Sequence, residues 1–246
     1  MDRLVYVAMS GAKETMRAQA ANNHNLANAS TVGFRADLSA FQSQAVQGAG
    51  LPTRVYATDH TLGWDASIGQ LQQSGRDLDV AVNGPGWIGV QGADGREAYT
   101  RAGDLRVDVN GQLTTAAGQP VLGDSGPLAV PPHGSISVAR DGSVAIVPLG
   151  QAATTVATIG RIKLVNPPAG ALERGADGLF RLRSGSDAPA DASVQIASGA
   201  LESSNVNVAE AMTQMIELAR QFDLQVKALR TAEEDAASSA RLLQAG

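Results

Sequence analysis

Several short stretches of this chain carry residue types and spacings that chemistry uses. Gly84-Pro85-Gly86-Trp87-Ile88-Gly89 has the glycine spacing of a dinucleotide-binding turn. That turn works only when a helix starts directly after it and offers its N-terminus to the pyrophosphate. Here Trp87 to Gln91 reads as a strand, so Pro85 and its flanking glycines read as a turn. Gly123-Asp124-Ser125-Gly126-Pro127 resembles the nucleophile segment of trypsin-like proteases with one glycine missing. An activated serine needs a base oriented by a carboxylate. The upstream histidines, His24 and His60, fall in a helical and an extended region and offer neither, so a surface turn is expected. Asp108-Val109-Asn110-Gly111 looks like part of a calcium loop, but the remaining ligands and the closing glutamate are absent.

The other chemistry-bearing residues are scattered. His24, His60 and His133 lack metal-ligand spacing, and zero cysteines exclude disulfides, thiolate metal sites and a cysteine nucleophile. Arg101 and Asp104 flank Gly103 and read as a solvated polar turn. No catalytic, cofactor-binding or metal site is expected, and no small-molecule substrate. A hydrolase reading would rest on the Ser125 turn alone.

Composition points the same way. The 246 residues carry a net charge of −5, with 43% hydrophobic and 17% charged residues, which suits a water-exposed globular chain without a nucleic-acid partner. No apolar run is long enough for a membrane span. The start, Met1-Asp2-Arg3-Leu4, lacks the basic and apolar stretches of a cleavable signal, so export is expected to use another route.

Glycine and proline divide the chain. Between Gly63 and Gly199 lie 22 of the 27 glycines, and nine of the ten prolines fall between Pro85 and Pro189. The expected organisation is a helical segment over 1–35, an extended connection over 36–75, a β-rich domain over 76–200 and a long helix over 201–246. The fold class is α+β, with terminal helices pairing as a coiled coil around a central, mostly antiparallel β domain.

The C-terminal helix gives the strongest periodic signal. Val208, Met212, Met215, Ala219, Phe222, Val226, Leu229, Glu233, Ala236, Ala240 and Leu243 follow each other at spacings of 4 and 3. Asn207 can cap this helix and Glu210 can reach back. At 1.5 Å per residue its length would be about 55 Å. The N-terminal segment supplies a weaker seam through Val5, Met9, Ala12, Met16, Gln19, Asn23 and Leu26, rich in small neighbours that let a second backbone approach. One pair of helices leaves much of each stripe wet, so self-assembly or a partner helix is expected. Within the β region, Leu78, Val80 and Val82 share a face, as do Leu105, Val107 and Val109. Asn110-Gly111 and Asp141-Gly142 mark two hairpins.

Specific motifs then set the chain among known families. Asn25-Leu26-Ala27-Asn28-Ala29-Ser30-Thr31-Val32-Gly33-Phe34-Arg35 resembles the signature of the bacterial flagellar rod and hook proteins. The other end agrees through Ser204-Asn205-Val206-Asn207-Val208, Met215-Ile216 and Arg220-Gln221-Phe222. The centre agrees through Arg76-Asp77-Leu78-Asp79-Val80-Ala81-Val82, Tyr99-Thr100-Arg101-Ala102-Gly103 and Pro120-Val121-Leu122-Gly123. Met1-Asp2-Arg3, Leu51-Pro52-Thr53-Arg54 and Arg161-Ile162-Lys163-Leu164-Val165 are most similar to the proximal-rod class, with distal-rod and hook-type subunits as the alternative. His24 departs from the family, which commonly has asparagine there.

The resemblance implies a structural subunit of the hollow flagellar drive shaft, in the periplasmic part of the basal body. It implies secretion by the flagellar export apparatus and partnership with copies of itself and other rod subunits. The packing residues it points to are Val5, Met9, Ala12, Met16, Val208, Met212, Met215, Phe222, Val226 and Leu229. Asn25, Asn28, Thr31, Gly33, Phe34 and Asn205 are expected to shape the passages beside the helices. A Gly33→Val substitution is expected to block incorporation while leaving the β domain folded. The rival reading is a β-rich binding module closed into a dimer by its coiled coil.

Overall fold

A computed structural model describes residues 2–45, 55–152 and 154–244. Met1 and the Leu51–Arg54 motif therefore lie outside the described residues. The fold is α+β and forms two compact units. One holds residues 1–29, 36–65 and 206–246; the other holds 30–35 and 66–205.

The first unit contains helix α1 (Asp2–Ala27) and helix α2 (Val208–Gln244). α2 starts as its sequence demands: Asn207 Oδ1 accepts from the backbone N–H of Ala209 at 3.1 Å and of Glu210 at 3.3 Å. The helices run in opposite directions against each other. Gly11 faces the Gln225 side chain, and Asn22 Nδ2 donates to the Ala211 carbonyl at 2.7 Å. The buried residues of the two helices are mostly small: Ala8, Ala12, Thr15 and Ala18 on α1 with Ala211 and Ala232 on α2, joined by Glu14, Asn22 and Leu218. This seam is rotated about one residue from the stripes that heptad spacing selects, so Met9, Met16, Val208 and Met212 remain exposed. Alanine and glycine allow the close backbone approach that methionine and valine would prevent.

The stretch expected to be an extended connection forms an antiparallel ribbon, Asp37–Ala45 with Val55–Trp64. A register shift lies near the end of the ribbon, between Leu38 and Ser39, and from Ser39 to Ala45 the pairing runs without a break. Asn25 fastens the ribbon to α1. Its side chain donates to the Asp37 carbonyl at 2.9 Å and accepts from the Asp37 N–H at 2.7 Å. His24 Nδ1 lies 2.7 Å from Asp37 Oδ2 beside it.

The second unit is built of short antiparallel strands, and every pairing among the described strands is antiparallel. Its larger sheet has five strands in the order 164–165, 87–91, 97–100, 180–182 and 172–174. A three-stranded sheet joins 133–138, 143–148 and 157–161. The Asn110-Gly111 hairpin joins Leu105–Val107 to Leu113–Thr115, with Gly111 at φ +77°. Asp108 Oδ1 accepts from the N–H groups of Asn110 and Gln112, so this stretch is the hairpin turn its sequence indicates and not a calcium loop. The turns at 84–86 and 123–126 likewise connect strands. Val80, Val82, Ile88, Val90, Leu105, Leu113, Val121 and Val144 form one core without solvent access.

That core needs no partner. Leu113→Ala should therefore cost about 2–5 kcal/mol, the usual range for truncating a buried leucine. Denaturant unfolding of the purified chain, followed by the near-UV signal of the β unit, checks this value.

Candidate functional site

The site of interest in the β unit is a carboxylate sealed from water. Glu202 has 0% exposure and receives two guanidiniums, Arg35 Nη2 at 2.6 Å from Oε1 and Arg101 Nη1 at 2.7 Å from Oε2. The Gly69 N–H donates to Oε1 at 2.9 Å, and Arg101 Nη2 donates to the Gly84 carbonyl at 2.6 Å. None of the three guanidinium nitrogens of Arg35 has a well-aligned hydrogen bond among the described residues, so the 2.6 Å ion pair with Glu202 is what balances its buried charge. Burial lowers the pKa of Arg101, and the Glu202 charge opposes that shift. An isolated buried charge is very costly, so removing one member of such a group typically costs several kcal/mol.

The polar-turn reading of Arg101 is thus corrected: the side chain is only 4% exposed. Its local sequence has the composition of a solvated loop, and its partner lies 101 positions away. Asp104 beside it is half-buried, and burial raises its pKa. The only sequence signal for this centre was that Arg35 and Arg101 close or sit within the two motif runs of the resemblance.

Around the clamp the chain is tied by backbone and aromatic contacts. The Gly33 N–H donates to the Glu202 carbonyl at 2.8 Å. Arg174 lies over the rings of Phe34 and Phe180, at 4.9 and 5.0 Å from their centroids, and donates to the Arg35 carbonyl. The Asn205 N–H donates to the Phe34 carbonyl at 3.3 Å, and its side chain reaches Ser67 at 3.1 Å. Thr31 accepts from the Phe34 N–H, and Asn28 Nδ2 donates back to the His24 carbonyl at the end of α1.

The packing residues expected from sequence fall in the helical unit in two groups. Ala12 is buried, while Val5, Met215, Phe222, Val226 and Leu229 are half-buried. Met9, Met16, Val208 and Met212 are exposed at 54%, 58%, 41% and 52%, together with Tyr6, Ile216 and Leu224. Met9, Ala12, Met16 and Ala20 of α1 face Phe222, Val226 and Leu229 of α2 across an open apolar groove. These side chains leave apolar surface of both helices open to water. Among the described residues no three metal-ligating side chains cluster, and no helix is long and apolar enough to cross a membrane.

Gly33 sits at φ +67°, and a Cβ there would fall 2.3 Å from the Arg101 carbonyl carbon. Substitution thus harms the β unit itself, rather than sparing it as expected from sequence. Gly33→Ala should lower the unfolding free energy by more than about 2 kcal/mol, from the left-handed backbone and the overlap together. Gly170→Ala, with open space around it, should leave stability within about 0.5 kcal/mol. Equal denaturation midpoints for the two variants would contradict this account.

Comparison with known proteins accords with this arrangement. Residues 197–242, which include Glu202, Asn205 and most of α2, match the flagellar basal body rod FlgEFG protein C-terminal family. Residues 81–146 match the flagellar hook protein FlgE/F/G D1 domain. The chain is 44% identical to the flagellar basal-body rod protein FlgF of Escherichia coli, over 99% of both chains. It is 33% identical to FlgF of Caulobacter vibrioides, over 98% of both. To the flagellar basal-body rod protein FlgG of Bacillus subtilis it is 30% identical, over 95% of this chain and 96% of that one. A self-sufficient β unit joined to helices with uncovered apolar faces, and likeness along the whole length, place this chain in the family of flagellar basal-body rod proteins.

Proposed function

We propose that this chain is a structural subunit of the proximal part of the flagellar rod, which transmits torque from the motor to the hook. The observation that carries the reading is the exposure of Met9, Met16, Val208, Met212 and Ile216 on two helices whose buried residues are mostly others, chiefly alanines. In a chain resembling rod proteins from end to end, those faces are supplied with partners by neighbouring copies and by other rod subunits. Identity of 44% over 99% of both chains to the FlgF protein of Escherichia coli supports the proximal rod.

Within the assembled wall the two helices act as a coiled coil, and neighbouring helices complete the heptad stripes. Sliding such a packed stripe by one turn unseats every knob together, which gives resistance to twist. A contact between two different patches, repeated by one screw operation, builds a tube rather than a closed dimer. The subunit reaches its periplasmic position through the flagellar export apparatus, without a cleaved signal. The role is mechanical, with no catalysis and no cofactor.

Two tests bear on this. Basal bodies from a strain lacking the chain should show a rod that is missing or stops near the inner membrane in electron micrographs. Complete rods and hooks would contradict the assignment. Met16→Asp combined with Met212→Asp should change the unfolding free energy of the purified chain by no more than about 1 kcal/mol, since both residues are exposed. The same pair should abolish swimming by preventing incorporation.

A further inference from the structure

We infer that Glu202 is a positioning residue for load transfer: it binds the three stretches by which the chain enters and leaves the β unit into one rigid joint. The stretches are 33–35, 66–70 and 202–205. Each is held to another by contacts already inside the β unit. Glu202 Oε1 takes Arg35 and the Gly69 N–H, and its backbone carbonyl takes the Gly33 N–H. The Ser203 N–H donates to the Gln70 carbonyl, and the Asn205 N–H to the Phe34 carbonyl. Asn205 Nδ2 closes the set on Ser67. Arg101 then fixes the carboxylate to the sheet through Val82, Gly84 and the Trp87 ring.

Two features separate this arrangement from an ordinary buried ion pair. All three charged groups are nearly or fully without solvent access, so none can be replaced by water when strained. The network also runs in a loop: Arg101 lies over Trp87, Trp87 packs on Phe180 at 4.5 Å, and Phe180 lies beneath Arg174, which holds the Arg35 carbonyl. A pull on any one of the three stretches is therefore shared by the others and by the sheet, instead of peeling one strand at a time.

The mechanical half of this inference rests on the rod reading; the structural half does not, and the test separates them. Amide hydrogen exchange is measured on the purified full chain and on Glu202→Gln. Val144→Ala, a core truncation at a fully buried site outside the joint, serves as a variant of lowered stability. In Glu202→Gln, exchange at Gly33, Gly69, Ser203 and Asn205 should rise by about tenfold or more beyond the rise at Leu113 and Val121, whereas in Val144→Ala the four amides should rise no more than Leu113 and Val121 do. Arg35→Lys, which keeps the charge but is shorter and places it differently beside Glu202, should give the same pattern at smaller amplitude and serves if Glu202→Gln does not fold. Unchanged exchange at the four amides, or a uniform rise throughout the β unit, overturns the joint. In cells carrying Glu202→Gln, rotation at low load should match that of Val144→Ala cells, while torque at high load falls about twofold or more. Equal torque in the two strains overturns the load-bearing role. Complete rods without the chain would refute the rod reading and leave the exchange result standing.

Discussion

A carboxylate with no access to water, held between two guanidiniums, exists only while its surroundings are complete. Glu202 imposes that condition on the β unit. It requires Arg35, at the end of the signature motif that follows α1, and Arg101, in the loop after the strand Glu97–Thr100, to occupy fixed places beside the strand Ala200–Glu202. It also requires Gly33, because only a residue without Cβ passes the Arg101 backbone at this distance. Desolvating three charges stabilises little by itself, and hydrophobic residues of equal volume could have filled the space. The return is definition: the stretches next to the helical ends leave the β unit along single paths.

The two units divide the work of burial differently. The β unit closes its own core with valine, isoleucine and leucine at zero exposure. The helical unit buries mainly alanines against each other and leaves methionine, valine and isoleucine outside. About 25 cal/mol for each Å² of apolar surface removed from water means that those large side chains contribute only after something covers them. A subunit built this way has stable parts before assembly and gains the remainder from its neighbours.

Legibility in the sequence followed the distance over which each feature is encoded. The turn at Asn110-Gly111, the second hairpin at Asp141-Gly142 and the Asn207 cap depend on residues within four positions of each other, and each was readable. The α1–α2 seam was not, because two apolar stripes lie side by side on each helix and periodicity cannot choose between Met9-Met16 and Ala8-Thr15. The ribbon of Asp37–Ala45 with Val55–Trp64 escaped because both strands mix polar and apolar residues without a clear apolar face, as in Asp37-Leu38-Ser39-Ala40-Phe41-Gln42. Arg101 escaped for a third reason, since a charged residue between Thr100 and Gly103 has no local mark of burial. Only its place in a family motif hinted at more than a solvated loop. Asn25 lay between these cases: its place in the signature run singled it out, but its hold on Asp37 needed the ribbon to be seen.

The central claim is that the large apolar side chains left outside by the helix pair are covered in the assembled rod. The chain has no cysteine, so single thiols introduced as Met16→Cys and Met212→Cys report on those two faces without background. Thiol alkylation of each variant, first as purified chain and then within purified basal bodies, tests the claim directly. The account predicts free reaction in the purified chain and strong shielding of both positions in the basal body. Equal reactivity in the two states would mean that these faces stay open in the rod, and would contradict it.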